Sequence, residues 1–187
     1  VPQVKFVDRT FNCNRQRAID IWSYLVEHDN GITNFHFEIS SDLLGEEELE
    51  LFAKKHIDGH APGITGKAVQ AYRLAGVEND HECANSEEVL DKLRAGFHIY
   101  IREGSGAKNL ETLIRTLLDA NVALDQCAFC TDDKHIEEIR KEGHISTCIR
   151  KAIALGVPVA KAYKMGSYQP AMFYGLKGYG AIGAGYH

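Results

Sequence analysis

The chain has 187 residues, 44% apolar and 25% charged, with a formal net charge of -5 and a pI near 6.0. That length suits one ordinary domain with a real core, and the acidic balance lacks the basic footprint that binding a phosphate backbone requires, which argues against nucleic acid as a partner. No run of about eighteen apolar residues could span a bilayer, and the five scattered cysteines (Cys13, Cys83, Cys127, Cys130 and Cys148) fit free thiols in a reduced, cytoplasmic setting.

Apolar periodicity predicts short strands alternating with longer helices, the signature of a parallel α/β architecture. The first strand is VKFVD, residues 4–8, and the first helix covers 14–29, where Ile19, Trp22, Leu25 and Val26 recur at three- and four-residue spacing. TNFHFEI, residues 33–39, is the second strand. The helix over 45–55 opens on GEEELE, whose acidic groups suit the positive end of a helix dipole.

Four further units follow: HIDGHA with a helix near 66–75, VENDHE with one near 86–95, FHIYIREG with one near 108–120, and QCAFCTDD with one near 144–155. Ser86 with Glu87 and Glu88 behind it reads as a helix start, and Gly76, Gly96 and Gly156 read as stops. Six strand and helix units make a partial TIM-like (β/α) barrel, short of the eight strands of a closed one. Its exposed edges are expected to pair with another copy or with a partner chain completing the barrel. The chain opens at Val1 and stops at GAIGAGYH, and both ends read as cuts.

In such folds functional groups gather at the C-terminal ends of the strands. Those ends here read DGHAPG, NDHE, REGSGAKN and CTDD. A hydrolytic metal site needs neutral imidazoles and a carboxylate from different strands, and His60, His81 and Asp132 supply one each. Asp132 can also act as general base, and Glu82 and Glu103 can bond a substrate or steer a proton. Taken singly, a strand-end His is more often a satisfied polar residue than a ligand, and Asp132 with Asp133 could simply cap the next helix. Cys127 and Cys130, in CAFC, have the spacing of a redox or zinc pair but read more simply as core positions. His135 and His144 read as solvated or capping residues.

The stretches IDGHAPGITGKAVQAYRLAGVENDHE, LRAGFHIYIREGSGAKNL, CAFCTDDKHIEEIRKEGHI and YGLKGYGAIGAGY together resemble the adenine deaminases of the amidohydrolase superfamily, in order from about residue 54 to 187. The resemblance implies a barrel hydrolysing adenine to hypoxanthine and ammonia with a divalent metal, iron, manganese or zinc. It implies metal roles for His60, His81 and Asp132, with Asp132 also shuttling a proton. It places Glu82 with Asp132 in the catalytic machinery and Arg102, Glu103 and Ser105 at the purine pocket.

Residues 1–53 carry neither the first-strand His-x-His pair nor the fourth-strand bridging Glu of that family. They resemble the second and third strand and helix units of a radical SAM barrel fused to a cobalamin-binding domain, without that family's cysteine cluster motif. The expectation is a chimera or a fragment: one barrel-like domain with a radical-SAM-like segment over 1–53 and barrel strands five to eight over 54–187. The alternative to a deaminase is a non-catalytic, chimeric or truncated barrel that at most binds a metal ion.

Overall fold

Two short parallel strands begin the chain: β1 (Gln3–Lys5) registers with β2 (Asn34–His36), so that Val4 faces Phe35. The computed structural model describes residues 3–30, 33–52 and 57–187, with the side chains of Gln3, Asn34 and Ser41 outside that description. The chain divides into two units, Val1–His56 and Ile57–His187.

In the first unit, α1 (Arg15–Glu27) starts at Asn14, whose side chain accepts from the Arg17 N–H, and buries Ala18, Ile19 and Trp22. Trp22 and Phe11 form the core with Phe6, Phe37 and Phe52, in ring contacts such as Phe6 on Phe37 at 4.5 Å and Trp22 on Phe52 at 4.8 Å. The acidic start of α2 (Glu46–Phe52) does more than face a dipole. The buried Glu48 carboxylate accepts from the Gly45 N–H at 2.9 Å, in the manner of a capping box, and pairs with Arg15 at 2.6 Å.

The second unit is built on a parallel sheet of β3 (Asn79–Asp80), β4 (His98–Arg102) and β5 (Cys127–Cys130), in the order β3-β4-β5. Side chains alternate along β4. Ile99 and Ile101 join one core with Cys127 and Phe129 of β5, Val69 of α3 (Gly66–Leu74) and Val89 of α4 (Ser86–Arg94). Leu113, Ile114 and Leu117 of α5 (Leu110–Asp119) complete its centre at four-residue and three-residue spacing. After β5 come α6 (Ile136–Glu142), α7 (Ile145–Ala154), α8 (Val159–Gly166) and α9 (Tyr168–Phe173). Phe173 lies on the other face of β4, stacked on His98 at 4.5 Å.

The expected stops hold: Gly76, Gly96 and Gly156 follow helices with φ of 95°, 85° and 107°, where a side chain would be strained. Three expectations change. The cap of α4 is Asn85, whose side chain accepts from the Glu88 N–H at 3.0 Å, while the Ser86 hydroxyl is bonded to Thr116 at 2.7 Å. The strand predicted over 56–61 is reduced, among the described residues, to a bridge from Ile57 to Val77, with His56 outside them. The reason is local: beyond Ile57 the Gly59 N–H bonds to the side chain of Asn79 rather than to a backbone carbonyl. As a result the described residues form five strands rather than six, in two separate sheets, and the barrel is not closed, as expected of a partial one. Among the described residues no helix is long and apolar enough to cross a membrane.

Burial pushes the His98 imidazole down to about 4, so it is neutral in the folded chain where an unfolded chain takes up a proton near 6.5. Between those values the unfolded state binds the extra proton. Stability is therefore fully present above about pH 6.5 and falls as pH drops toward 4, by roughly 2–3 kcal/mol. Denaturant midpoints followed across this window are expected to show that loss in the parent chain and a flatter profile in His98→Phe.

Candidate metal centre

β3 ends at Asp80, and the chain turns at once because Asp80 Oδ1 accepts from the Glu82 N–H at 2.6 Å. This turn presents His81 and Glu82 beyond the C-terminal end of the strand. His60 arrives on the preceding segment, which lies against β3 through the 3.1 Å bond from Gly59 N–H to Asn79 Oδ1. The approach is close enough that a Cβ on Gly59 would stand 2.1 Å from the Asn79 carbonyl oxygen. The His60 N–H donates to the Tyr72 hydroxyl at 3.1 Å, which fixes the segment from the side of α3.

The two imidazoles converge on one carboxylate oxygen. His60 Nδ1 is 3.6 Å and His81 Nε2 3.4 Å from Glu82 Oε1, and the rings sit 5.4 Å apart. One ligand atom from each of the three lies within 4.8 Å of the other two. A tetrahedral ion with bonds of about 2.1 Å holds its ligands roughly 3.4 Å apart, so both nitrogen-to-oxygen separations are near those of a ligand shell. Two imidazoles and a carboxylate also form a donor set that suits a divalent first-row ion. The residues fit a metal.

Arg102, at the end of β4, joins this group to the last strand. Its guanidinium bonds Glu82 Oε1 and reaches Asp132 Oδ2 at 2.9 Å and Asp133 Oδ1 at 3.2 Å. Burial works against its charge, but Asp133, Asp132 and Glu82 outweigh that and raise its pKa. Asp132 has a φ of 42°, a left-handed backbone uncommon for a residue with a side chain and often found at functional positions. Thus His60, His81, Glu82, Arg102 and Asp132 form one connected cluster at the strand ends.

Two expected pocket residues are engaged elsewhere. Glu103 is buried, with its carboxylate on Lys151 at 2.6 Å and on the Leu110 N–H at 3.4 Å. The Ser105 hydroxyl donates to Glu138 and accepts from the His135 N–H at 2.9 Å, beside a recess of about 630 Å³ lined by residues 133–138. Asp133 accepts from the Gly106 N–H at 2.8 Å and the Ser105 N–H at 3.1 Å. Those donors, with Arg102, hold its carboxyl below the usual range, the Gly106 N–H contributing most. His144 is bonded to Thr131 at 2.7 Å. Sequence reasoning missed Gly59, Tyr72, Asp80 and Lys92 as supports of the site. Lys92 alone carried a signal, a charge on the inward face of α4 three residues after Val89.

The CAFC pair sits in the strand, with burial raising the Cys127 thiol to about 12 and raising that of Cys130 as well. Cys83 and Cys148 are pushed up to about 12 and about 11 by the same cause, while Cys13 is exposed. Thiolate is the reactive form. In a native thiol titration one of the five cysteines, Cys13, is expected to react quickly and the remaining four only on unfolding; a fast pair from CAFC would restore a redox or zinc role.

Comparison with known proteins places the chain in a family. The profile of the amidohydrolase family matches residues 44–187. The chain is 45% identical over 149 residues to an adenine deaminase of Desulfitobacterium hafniense (strain Y51), covering 77% of this chain and 26% of that protein. It is 41% identical over 145 residues to an adenine deaminase of Clostridium acetobutylicum, covering 78% and 25%. A third adenine deaminase, from Gluconobacter oxydans (strain 621H), is 46% identical over 140 residues, covering 74% and 24%. The chain thus spans about a quarter of the length of the curated relatives it matches.

Proposed function

The chain belongs to the amidohydrolase family, and from that premise we propose that its cluster serves the metal-dependent hydrolysis of adenine to hypoxanthine and ammonia. The observation that carries the reading is the convergence of His60 and His81 on Glu82, with Asp132 one guanidinium away. The adenine deaminase names of relatives at 41–46% identity support the substrate.

In this reading His60, His81 and Glu82 would hold the ion, and Asp132, reached through Arg102, would complete its carboxylate side. A divalent ion supplies the Lewis acidity that makes water a nucleophile near neutral pH. Asp132 would take a proton from the attacking water and deliver it to the departing amino group, so that ammonia leaves, the water's oxygen stays on the purine carbon as a carbonyl and its other proton ends on the adjacent ring nitrogen. Glu82 bonds a ring nitrogen or steers that proton. Arg102 sets the two carboxylates and faces the purine. Glu103 and Ser105 act from behind, Glu103 by anchoring β4 to Lys151 and Ser105 by fixing the loop after β5. The metal is iron, manganese or zinc, and the short three-stranded sheet formed by the described residues of the second unit supports pairing with another copy or a partner chain.

The test is the absorbance change from adenine to hypoxanthine with Mn²⁺ added, together with ammonia release. Turnover is expected in the parent chain and its loss in His81→Ala and Asp132→Asn. Ammonia release unchanged in Asp132→Asn, or none from a metal-loaded parent, would overturn the deaminase reading.

A further inference from the structure

One cation of the Ile57–His187 unit is fully buried. Lys92, on the inner face of α4, has no exposed side-chain surface, and its ammonium lies 2.9 Å from Asp80 Oδ2, itself fully buried. The same ammonium donates to the Ala61 carbonyl at 2.7 Å and lies 3.8 Å from Glu88 Oε2. Glu88 Oε2 in turn accepts from the Gly63 N–H at 3.1 Å. Asp80 Oδ2 makes no hydrogen bond of good geometry among the described residues, so the ammonium is its compensation.

The attachment points of this network are informative. Ala61 follows His60 directly, and Asp80 precedes His81 directly. A single ammonium therefore ties the segment that carries one imidazole to the strand end that carries the other, and Asp80 Oδ1 sets the turn to Glu82 as well. An ammonium offers three donors and no acceptor, which lets it join several oxygens from different segments. A buried ion pair is weak evidence for stability, since apolar replacements are often neutral; fixing register is its better-attested use.

We infer that Lys92 is a positioning residue of the metal centre, locking the His60 segment to the His81 and Glu82 strand end. The inference rests on the metal reading above. Its test compares the parent chain with Lys92→Met and with the double variant Lys92→Met, Asp80→Asn. In the double variant the charge pair is removed together, while the introduced carboxamide keeps an Oδ1 acceptor for the Glu82 N–H. Each is titrated with Mn²⁺ by electron paramagnetic resonance, and its melting temperature is recorded without metal.

Lys92→Met alone is expected to melt early, because it strands the Asp80 carboxylate. The double variant is expected to recover most of that stability yet bind Mn²⁺ about 10- to 100-fold more weakly than the parent, the range seen when outer supports of metal ligands are lost. A purely structural role would bring stability and Mn²⁺ affinity back together, and recovery of parent affinity in the double variant overturns the inference while leaving the metal centre in place. Should the double variant remain unstable, the folded fraction of Lys92→Met held in sucrose is titrated instead, and parent affinity there overturns it equally. A parent chain that binds no Mn²⁺ overturns both readings.

Discussion

An Arg102→Met variant is expected to be less stable than the parent without metal and to bind Mn²⁺ at least about tenfold more tightly. The guanidinium is the cation that now satisfies Glu82, Asp132 and Asp133 together. Removing one partner of a buried pair costs roughly 3–5 kcal/mol. Asp132 and Asp133 keep 44% and 39% of their side-chain surface in solvent, so water relieves part of that cost and about 3 kcal/mol is the expected loss. The gain in affinity follows from the same geometry. A divalent ion on Glu82 and Asp132 must compete with a neighbouring positive charge, and Met removes the competitor without adding a ligand. Denaturant midpoints with and without Mn²⁺ measure both effects. Equal affinity in variant and parent would mean that Arg102 and the ion do not share these carboxylates.

Gly59→Ala is the second large effect. Its Cβ would stand 2.1 Å from the Asn79 carbonyl oxygen and 2.8 Å from Val77 Cγ1, and a backbone oxygen cannot swing aside as a flexible side chain does. The segment must lift from β3, with a loss of about 3 kcal/mol, at the upper end for overpacking. The His60 N–H would also move off Tyr72, carrying the imidazole away from Glu82. Gly63→Ala is the contrast: its φ is 76° but nothing lies within 4 Å of the added methyl, so only about 1 kcal/mol of backbone strain is expected. Chemical denaturation and Mn²⁺ titration of the two variants should separate clearly, Gly59→Ala losing both stability and affinity. Equal losses in the two would show that the close approach of Gly59 is not what seats His60.

Legibility from sequence followed the strength of local signals. Helix α5 was read almost to its ends, because Leu110, Leu113, Ile114 and Leu117 repeat at helical spacing and are all buried. β4 was read for a related reason, since HIYIR packs one face as Ile99 and Ile101 and leaves the other for His98, Tyr100 and Arg102. The segment around His60 was overread as a strand because alternation alone does not reveal that Asn79 replaces a ladder bond with its side chain. Helices α8 and α9 were not anticipated, since Pro158, Gly166 and Pro170 break up their periodicity.

The site divided in the same way. His60, His81 and Asp132 stood out by residue type at strand ends, and the structure brings both imidazoles to Glu82 and links Asp132 through Arg102. What sequence could not show were the long-range attachments, such as Lys92 to Ala61 across 31 residues and Asp133 to Gly106 across 27. Such bonds depend on which loops the fold makes neighbours, and no local pattern records them.

The central claim is that His60 and His81 bind one ion together. Electron spin-echo spectroscopy of the Mn²⁺-loaded chain reads this directly through nitrogen modulation from coordinated imidazole. The parent is expected to show two such imidazoles, with one lost in His60→Ala and one in His81→Ala. Bound Mn²⁺ with no nitrogen modulation, or modulation unchanged in both variants, would contradict it.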